Sequence, residues 1–361
     1  WLGGLGIIVL CIALLPMFGL GGMQLYAAEV TGVNYEKVSP RIADTAKRLW
    51  VLYILLTLSE ILFLCLAGMT PFDAVCHSFT TVATGGFSTK NLSVMEYGPA
   101  VHYIIAVYML LSGINFALLI YCVMGKPERL FNDEETRWYM GAVGVCTVLL
   151  AIGLFIHYGF VDENWHICSY QDGFRYAERA FRKGFFMVTS AMTSTGFAAS
   201  DYMAWPKIFW VMVFFMMFTG GSSGSTAGGI KWVRLLIFAK SGIAEFKRRI
   251  HPNAIIPIKI NNQALSHETI SNIMAFMMWY ILIIVVTVLI FCACGVNFDE
   301  AIGTTVSAIG NVGVSIGQFG PSGSYAEFPV AAKWWMTFVM LIGRLEIFTV
   351  LLLFTKALWK K

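Results

Sequence analysis

The chain has 361 residues, 58% of them hydrophobic and 13% charged, and a mean hydropathy of +0.71. Soluble domains carry about 25% charged residues, so this composition excludes a soluble globular protein and indicates an all-α polytopic membrane protein set in a lipid bilayer. The net charge is only +4, and the eight cysteines are scattered, mostly through apolar runs, without metal-ligand or disulfide spacing.

Trp1 opens directly into the apolar run Leu2 to Leu10, which lacks the basic start and cleavage site of a signal peptide. The first spanning candidate is 1–20, followed by 46–68, 99–124, 138–160, 205–240, 270–294 and 330–357. Each is near or above the ~20 residues a membrane helix needs. Three shorter segments, 71–87, 178–197 and 299–314, read as a short helix followed by an extended loop that enters the membrane and returns. Pro71 and Asp73 suit the first turn of the first short helix, and Asp299 and Glu300 that of the third. The middle helix differs, with Arg179, Arg182 and Lys183 beside Glu178.

The three loops align without gaps as Val82-Ala83-Thr84-Gly85-Gly86-Phe87, Met192-Thr193-Ser194-Thr195-Gly196-Phe197 and Ile309-Gly310-Asn311-Val312-Gly313-Val314. Each has glycine at its fifth position. Irregular backbone at membrane depth persists only inside protein or along an aqueous path, and successive backbone carbonyls can replace the hydration shell of a cation. The carbonyls of Thr84, Gly85, Ser194, Thr195, Asn311 and Val312 are therefore ion-coordination candidates, with Gly86, Gly196 and Gly313 supplying the backbone freedom. The repeat predicts membrane helix, pore loop, membrane helix units around a central pore.

If the loops enter from outside, the inner segments 21–49, 124–137, 231–262 and 356–361 hold 17 of the 25 Lys and Arg residues. The positive-inside rule then makes these segments cytoplasmic. Lys247-Arg248-Arg249 reads as a topogenic inner loop and not as a nucleic-acid site.

Within the fifth span lies Gly220, Gly221, Ser222, Ser223, Gly224, Ser225, Thr226, Ala227, Gly228 and Gly229. It does not match a phosphate-binding loop, because Gly229-Ile230-Lys231-Trp232 breaks the required Gly-Lys-Ser/Thr ending. Each glycine weakens a helix by about 1 kcal/mol relative to alanine, so the run predicts a broken membrane helix lining a cavity. Close helix packing through small residues is the alternative. Arg344 falls in the otherwise apolar stretch Trp334 to Phe354 and must be paired or face the pore. Glu346 is poorly placed to meet it on one helix, which favours loop carbonyls as its partners, with the ion pair as the alternative. Asn115 has two open readings, facing the cavity or bonding a neighbouring helix. His77 reads as a packed, hydrogen-bonded residue, and Asp133-Glu134-Glu135 as a solvated cytoplasmic turn. No nucleophile, base or metal cluster appears at usable spacing, so no enzyme and no cofactor is expected.

On Trp1-Leu2-Gly3-Gly4-Leu5-Gly6-Ile7, Val82 to Thr89, Thr193 to Phe197 and Gly310-Asn311-Val312-Gly313, the whole chain resembles the Trk/Ktr/HKT potassium transporters, and most of all the bacterial Trk uptake subunits. The resemblance implies four pore units with one filter glycine each, a homodimer with a pore in each subunit, K+ as transported ion, and a gating loop at 220–229 contacted by Arg344. It also implies a bacterial inner (plasma) membrane location and a cytoplasmic nucleotide-binding regulatory partner. The expected division is 1–45 as the last helix of a first unit with its cytoplasmic loop, then units at 46–135, 136–262 and 263–361. On this count a first unit, with its own filter loop, is expected upstream of Trp1. The rival readings are a Na+-coupled or Na+-permeable member of the superfamily, the potassium-binding subunit of an ATP-driven pump, a polytopic membrane enzyme and a membrane scaffold.

Overall fold

In the first long helix, α1 (Ile42–Leu66), Val51, Leu55, Leu58, Leu62 and Leu66 are exposed while Leu52, Tyr53, Leu56 and Leu64 are buried. A helix apolar on both sides meets protein on one and hydrocarbon on the other. The computed structural model describes residues 1–6, 42–159, 170–345 and 347–355. Residues 7–20 of the first predicted span, residue 160, Glu346 and residues 356–361 lie outside the described residues.

After α1 comes the short α2 (Pro71–Val82), started by Thr70, whose hydroxyl accepts from the Asp73 amide, and by Pro71 at the first position. Next are α3 (Pro99–Ser112), α4 (Phe116–Val123), α5 (Glu128–Asn132) and α6 (Glu134–Gly159). The second short-helix segment is longer than expected, α7 running from Tyr170 to Met192. Then follow α8 (Lys207–Phe218), α9 (Trp232–Ile250), α10 (His267–Ala293), α11 (Phe298–Gly310), α12 (Val330–Arg344) and α13 (Ile347–Leu352). Named strands among the described residues are β1 (Lys259–Ile260) and β2 (Gln263–Ala264), an antiparallel hairpin. Asn261 and Asn262 both take positive φ, 48° and 64°, as a tight two-residue turn requires.

Three helical stretches are long and apolar enough to cross a membrane alone: Ala46–Leu66, Glu134–His157 and His267–Ala293. The expectation of an unbroken span fails at two others, and a third breaks where a break was expected. Segment 99–124 bends by 106° between α3 and α4. There the Asn115 side chain accepts from the Ala117 amide and starts a new helix, an interaction that competes with helix continuation. Segment 205–240 separates into α8, the small-residue loop and α9, in line with the predicted break. Segment 330–357 separates into α12 and α13.

The short helices converge. One buried cluster joins Val82 at the end of α2, Met192 at the end of α7 and Val306 and Val312 in and after α11, together with Ile114 and Met217. Their C-terminal ends, partly negative by the helix dipole, therefore share one neighbourhood.

Candidate functional site

Each of the three loops leaves its helix by the same turn. Thr84, Ser194 and Asn311 take left-handed φ values of 52°, 52° and 56°, and Gly86, Gly196 and Gly313 take 66°, 83° and 97°. The amides after each left-handed residue turn back into the helix. Gly85 N donates to the Thr80 carbonyl at 2.7 Å, Thr195 N to Ser190 at 2.9 Å and Val312 N to Ser307 at 2.9 Å. With the amides used in this way, the carbonyls of Thr84, Gly85, Ser194, Thr195, Asn311 and Val312 accept no hydrogen bond from the described residues.

The residue four positions before each left-handed residue is Thr80, Ser190 or Ser307, and its hydroxyl ties the loop down. Thr80 Oγ1 donates to the Phe87 carbonyl at 2.8 Å and Ser190 Oγ to Phe197 at 2.6 Å, while Ser307 Oγ accepts from Gly313 N at 3.0 Å. The sequence reading missed these clamps. A hydroxyl in the same register of all three repeats was the signal that would have found them.

The loops also touch one another head to tail. A Cβ on Gly86 would lie 1.8 Å from the Thr195 carbonyl oxygen, and one on Gly196 would lie 1.9 Å from the Val312 carbonyl oxygen. Neither distance is possible for a real Cβ, so glycine is required both for its backbone angle and for this approach. The result is one surface of backbone oxygens drawn from three repeats.

The loop from Gly220 to Gly229 packs against the base of all three. Thr219 and Ile230 pair in parallel at its neck, with Gly220 N donating to the Ile230 carbonyl at 2.8 Å. Thr226 is the pin. Its hydroxyl donates to the Val82 and Ser112 carbonyls at 3.0 and 3.3 Å, and its own carbonyl accepts from Thr84 Oγ1 at 2.8 Å and Arg344 Nη1 at 3.2 Å. Gly228 N donates to Ser194 Oγ, and a Cβ on Gly228 would sit 2.5 Å from the Gly310 carbonyl. Ser222 N donates to Gly113, and the Gly224 carbonyl accepts from Phe116 N. Of the remaining members, Gly221 lies against Gly113 and Ala227, Ser225 Oγ donates to the Ser222 carbonyl, and the Ala227 carbonyl accepts from Lys231 Nζ. Gly229 lies at the neck against Gly220 and Thr219.

Arg344 also donates through Nη2 to the Gly3 and Gly4 carbonyls at 3.0 and 3.3 Å, so its described partners are backbone oxygens. Asn115 is buried, caps α4 and packs against Gly224, which joins it to the small-residue loop. His77 is fully buried and bonds the Asp73 carbonyl and Ser88 Oγ. Arg182 pairs with Glu178 at 2.9 Å and contacts His102 Nδ1, which absorbs part of the positive charge of the middle helix.

Asp133-Glu134-Glu135 departs from the expected solvated turn: Asp133 and Glu135 are buried. Asp133 Oδ2 caps α6 by accepting from the Thr136 amide and hydroxyl. Glu135 accepts from Ser223 N and Ser223 Oγ, both at 2.7 Å, and from Val233 N at 3.1 Å. A three-residue acidic run looks solvated in sequence because its donors lie about ninety residues away.

Asp73, at the start of α2, collects Thr89 Oγ1 at 2.6 Å, Thr70 Oγ1 at 2.9 Å and Tyr97 OH at 3.1 Å. The Thr89 hydrogen bond foremost, then that from Thr70, holds its carboxyl below the usual aspartate range. Among the described residues no group of three or more His, Cys, Asp or Glu side chains is placed to hold a metal ion.

A family model described as TrkH, cation transport protein, matches residues 1–361. The Trk system potassium uptake protein TrkH of Salmonella typhimurium is 38% identical over 364 residues, which cover 100% of this chain and 72% of that protein. The Trk system potassium uptake protein TrkG of Escherichia coli is 34% identical, over 100% of this chain and 71% of that one. The crystal structure of the potassium transporter TrkH from Vibrio parahaemolyticus superposes with a TM-score of 0.83 at 34% identity, covering 100% of this chain and 71% of that one. This chain is a helical membrane protein of the TrkH family of cation transport proteins, a transport family and not an enzyme family.

Proposed function

We propose that this chain is the pore-forming subunit of a potassium uptake system in a bacterial inner membrane. Potassium passes along the carbonyls of Thr84, Gly85, Ser194, Thr195, Asn311 and Val312, with Gly86, Gly196 and Gly313 shaping that filter. The loop from Gly220 to Gly229 is the gate below it, and Arg344 holds the gate. The observation that carries this reading is the common geometry of the three loops, with amides bound inward and carbonyl oxygens left without a described donor, together with Gly86 and Gly196 each abutting the next loop. Oxygens held in this way can replace a hydration shell without trapping the ion. Potassium as the ion is supported by the names of the relatives, which are potassium uptake proteins.

In the same reading the pore units are 46–135, 136–262 and 263–361, with 1–45 belonging to a preceding unit. Two copies form a homodimer, and a cytoplasmic nucleotide-binding regulatory subunit engages the surface formed by Lys126 to Arg137 and Lys240 to Lys259. Rubidium uptake into vesicles containing the intact transporter, with sodium as competitor, tests the filter. Gly86→Ala and Gly196→Ala are expected to abolish uptake or reduce the rubidium-to-sodium preference at least about tenfold, the effect of a 1.4 kcal/mol difference. Wild-type uptake and selectivity in both variants would overturn the assignment.

A further inference from the structure

The small-residue loop is held by hydrogen bonds with the first two loops above it and by the close approach of Gly228 to Gly310 of the third, yet the only carboxylate described on it comes from the side that the charge distribution makes cytoplasmic. Glu135 is 1% exposed and lies at the start of α6. One of its oxygens accepts from Ser223 N, on the entering arm of the loop, and from Val233 N, in the first turn of α9. The other accepts from Ser223 Oγ. A carboxylate at a helix N-terminus meets unpaired amides and the positive end of the dipole. Here the same group also grips the loop. It thus fastens the loop to the helix that follows it, and the loop cannot leave the base of the three repeats without giving up charge-assisted bonds in a buried setting.

The two residues before Glu135 are bound to the hairpin. Asp133 Oδ1 accepts from Asn261 Nδ2 at 2.8 Å, and Glu134 N donates to Asn261 Oδ1 at 2.8 Å. Glu134 also pairs with Lys240 of α9 at 2.5 Å, and Lys240 Nζ donates to the Lys259 carbonyl of β1 at 2.7 Å. The hairpin tip, the middle of α9 and the loop therefore meet on three consecutive residues at one helix start. A displacement of the hairpin or of α9 reaches the loop through this turn, with no flexible linker between.

We propose that Glu135 is a positioning residue that latches the loop in its blocking place, and that the Asp133-Glu134-Glu135 turn couples this latch to the hairpin around Asn261. The inference rests on the reading of Gly220 to Gly229 as the gate. Glu135 touches no ion in this role; it acts through Ser223.

The test measures rubidium uptake and rubidium-to-sodium selectivity in vesicles for Glu135→Gln, Ser223→Ala, Asn261→Ala and the double variant Glu135→Gln/Ser223→Ala. A control lacks residues 222–227. Glu135→Gln keeps the size of the side chain, and Ser223→Ala keeps the carboxylate, so one serves if the other folds poorly. Each single variant is expected to raise uptake, by about tenfold for Glu135→Gln since bonds to a charged group are the stronger kind. Selectivity stays at the wild-type value, and the double variant exceeds the larger single effect by little, as residues acting through one contact do. Raised uptake in the control with wild-type uptake in Glu135→Gln and Ser223→Ala overturns the latch while leaving the gate. Wild-type uptake in Asn261→Ala beside raised uptake in the other two overturns the coupling to the hairpin. Unchanged uptake in the control overturns the gate, and the latch with it.

Discussion

The Ser190 hydroxyl donates to the Phe197 carbonyl at 2.6 Å, and the Ser190 carbonyl accepts from Thr195 N at 2.9 Å, so one residue fixes both ends of the middle loop. Phe197 is fully buried. In Ser190→Ala its carbonyl loses its described donor in a place water does not readily reach, a loss of about 1–3 kcal/mol. The expected outcome is a several-fold fall in rubidium-to-sodium selectivity with normal membrane expression. Thr80→Val removes the matching bond to Phe87, but Phe87 is 77% exposed, so water can replace the donor and the effect is expected to be smaller. Selectivity measured on both variants checks the order; an equal or reversed order counts against the clamp.

Arg344 spreads its guanidinium over the Thr226 carbonyl on one side and the Gly3 and Gly4 carbonyls on the other. A lysine ammonium is a point donor and cannot reproduce this fork. Arg344→Lys and Arg344→Ala are both expected to raise the maximal uptake rate, with Lys closer to wild type and the concentration for half-maximal uptake little changed. A change confined to that concentration would place Arg344 at an ion site and not at the gate.

Thr226 is 1% exposed and satisfies oxygens from two neighbours while offering its carbonyl to two more residues. Thr226→Val keeps the shape and the carbonyl but removes the hydroxyl, leaving Val82 and Ser112 oxygens unmet at a loss of about 1–3 kcal/mol. Uptake is expected to rise in the absence of any regulatory partner. Thr226→Ser, which restores the donor, is expected to return it to the wild-type level. A Ser variant as active as Val would show that the hydroxyl is not what holds the loop.

The repeats were legible because they lie in register: three glycines at one position, each in a short loop that follows a helix, point to the loop geometry from sequence alone, although the second of these helices, Tyr170–Met192, is longer than its sequence suggests. The ends of α2 and α11 were legible for the same kind of reason, through Pro71, Asp73, Asp299 and Glu300. The breaks in the spans were less so. Gly113 and Asn115 turn α3 into α4, but an apolar run with one glycine and one asparagine reads as continuous until Asn115 is seen capping the next helix. Glu60 is fully buried within α1, an intramembrane acid passed over inside a strongly apolar run. Glu135 and the hairpin were out of reach, because their contacts join residues 88 and 127 positions apart and leave no local periodicity.

Asp73 ties the start of α2 to Thr89 and Tyr97 of the following segment, so its ionised form braces that end of the short helix. The hydrogen bonds from Thr89 and Thr70 lower its pKa from the ordinary 3.8. A carboxyl with a lowered folded pKa contributes its stability in full above the unfolded value and loses it as pH falls through the folded one. Thermal unfolding of wild type and Asp73→Asn in detergent is therefore expected to differ at pH 7, with the wild type melting higher. The gap should hold down to about pH 4, near the unfolded carboxyl value, and narrow below it as the wild-type carboxyl takes up its proton. An equal melting point at pH 7 would show that the three hydroxyls serve Asn as well as Asp. A gap that survives well below pH 3.8 would show that the difference comes from shape and not from charge.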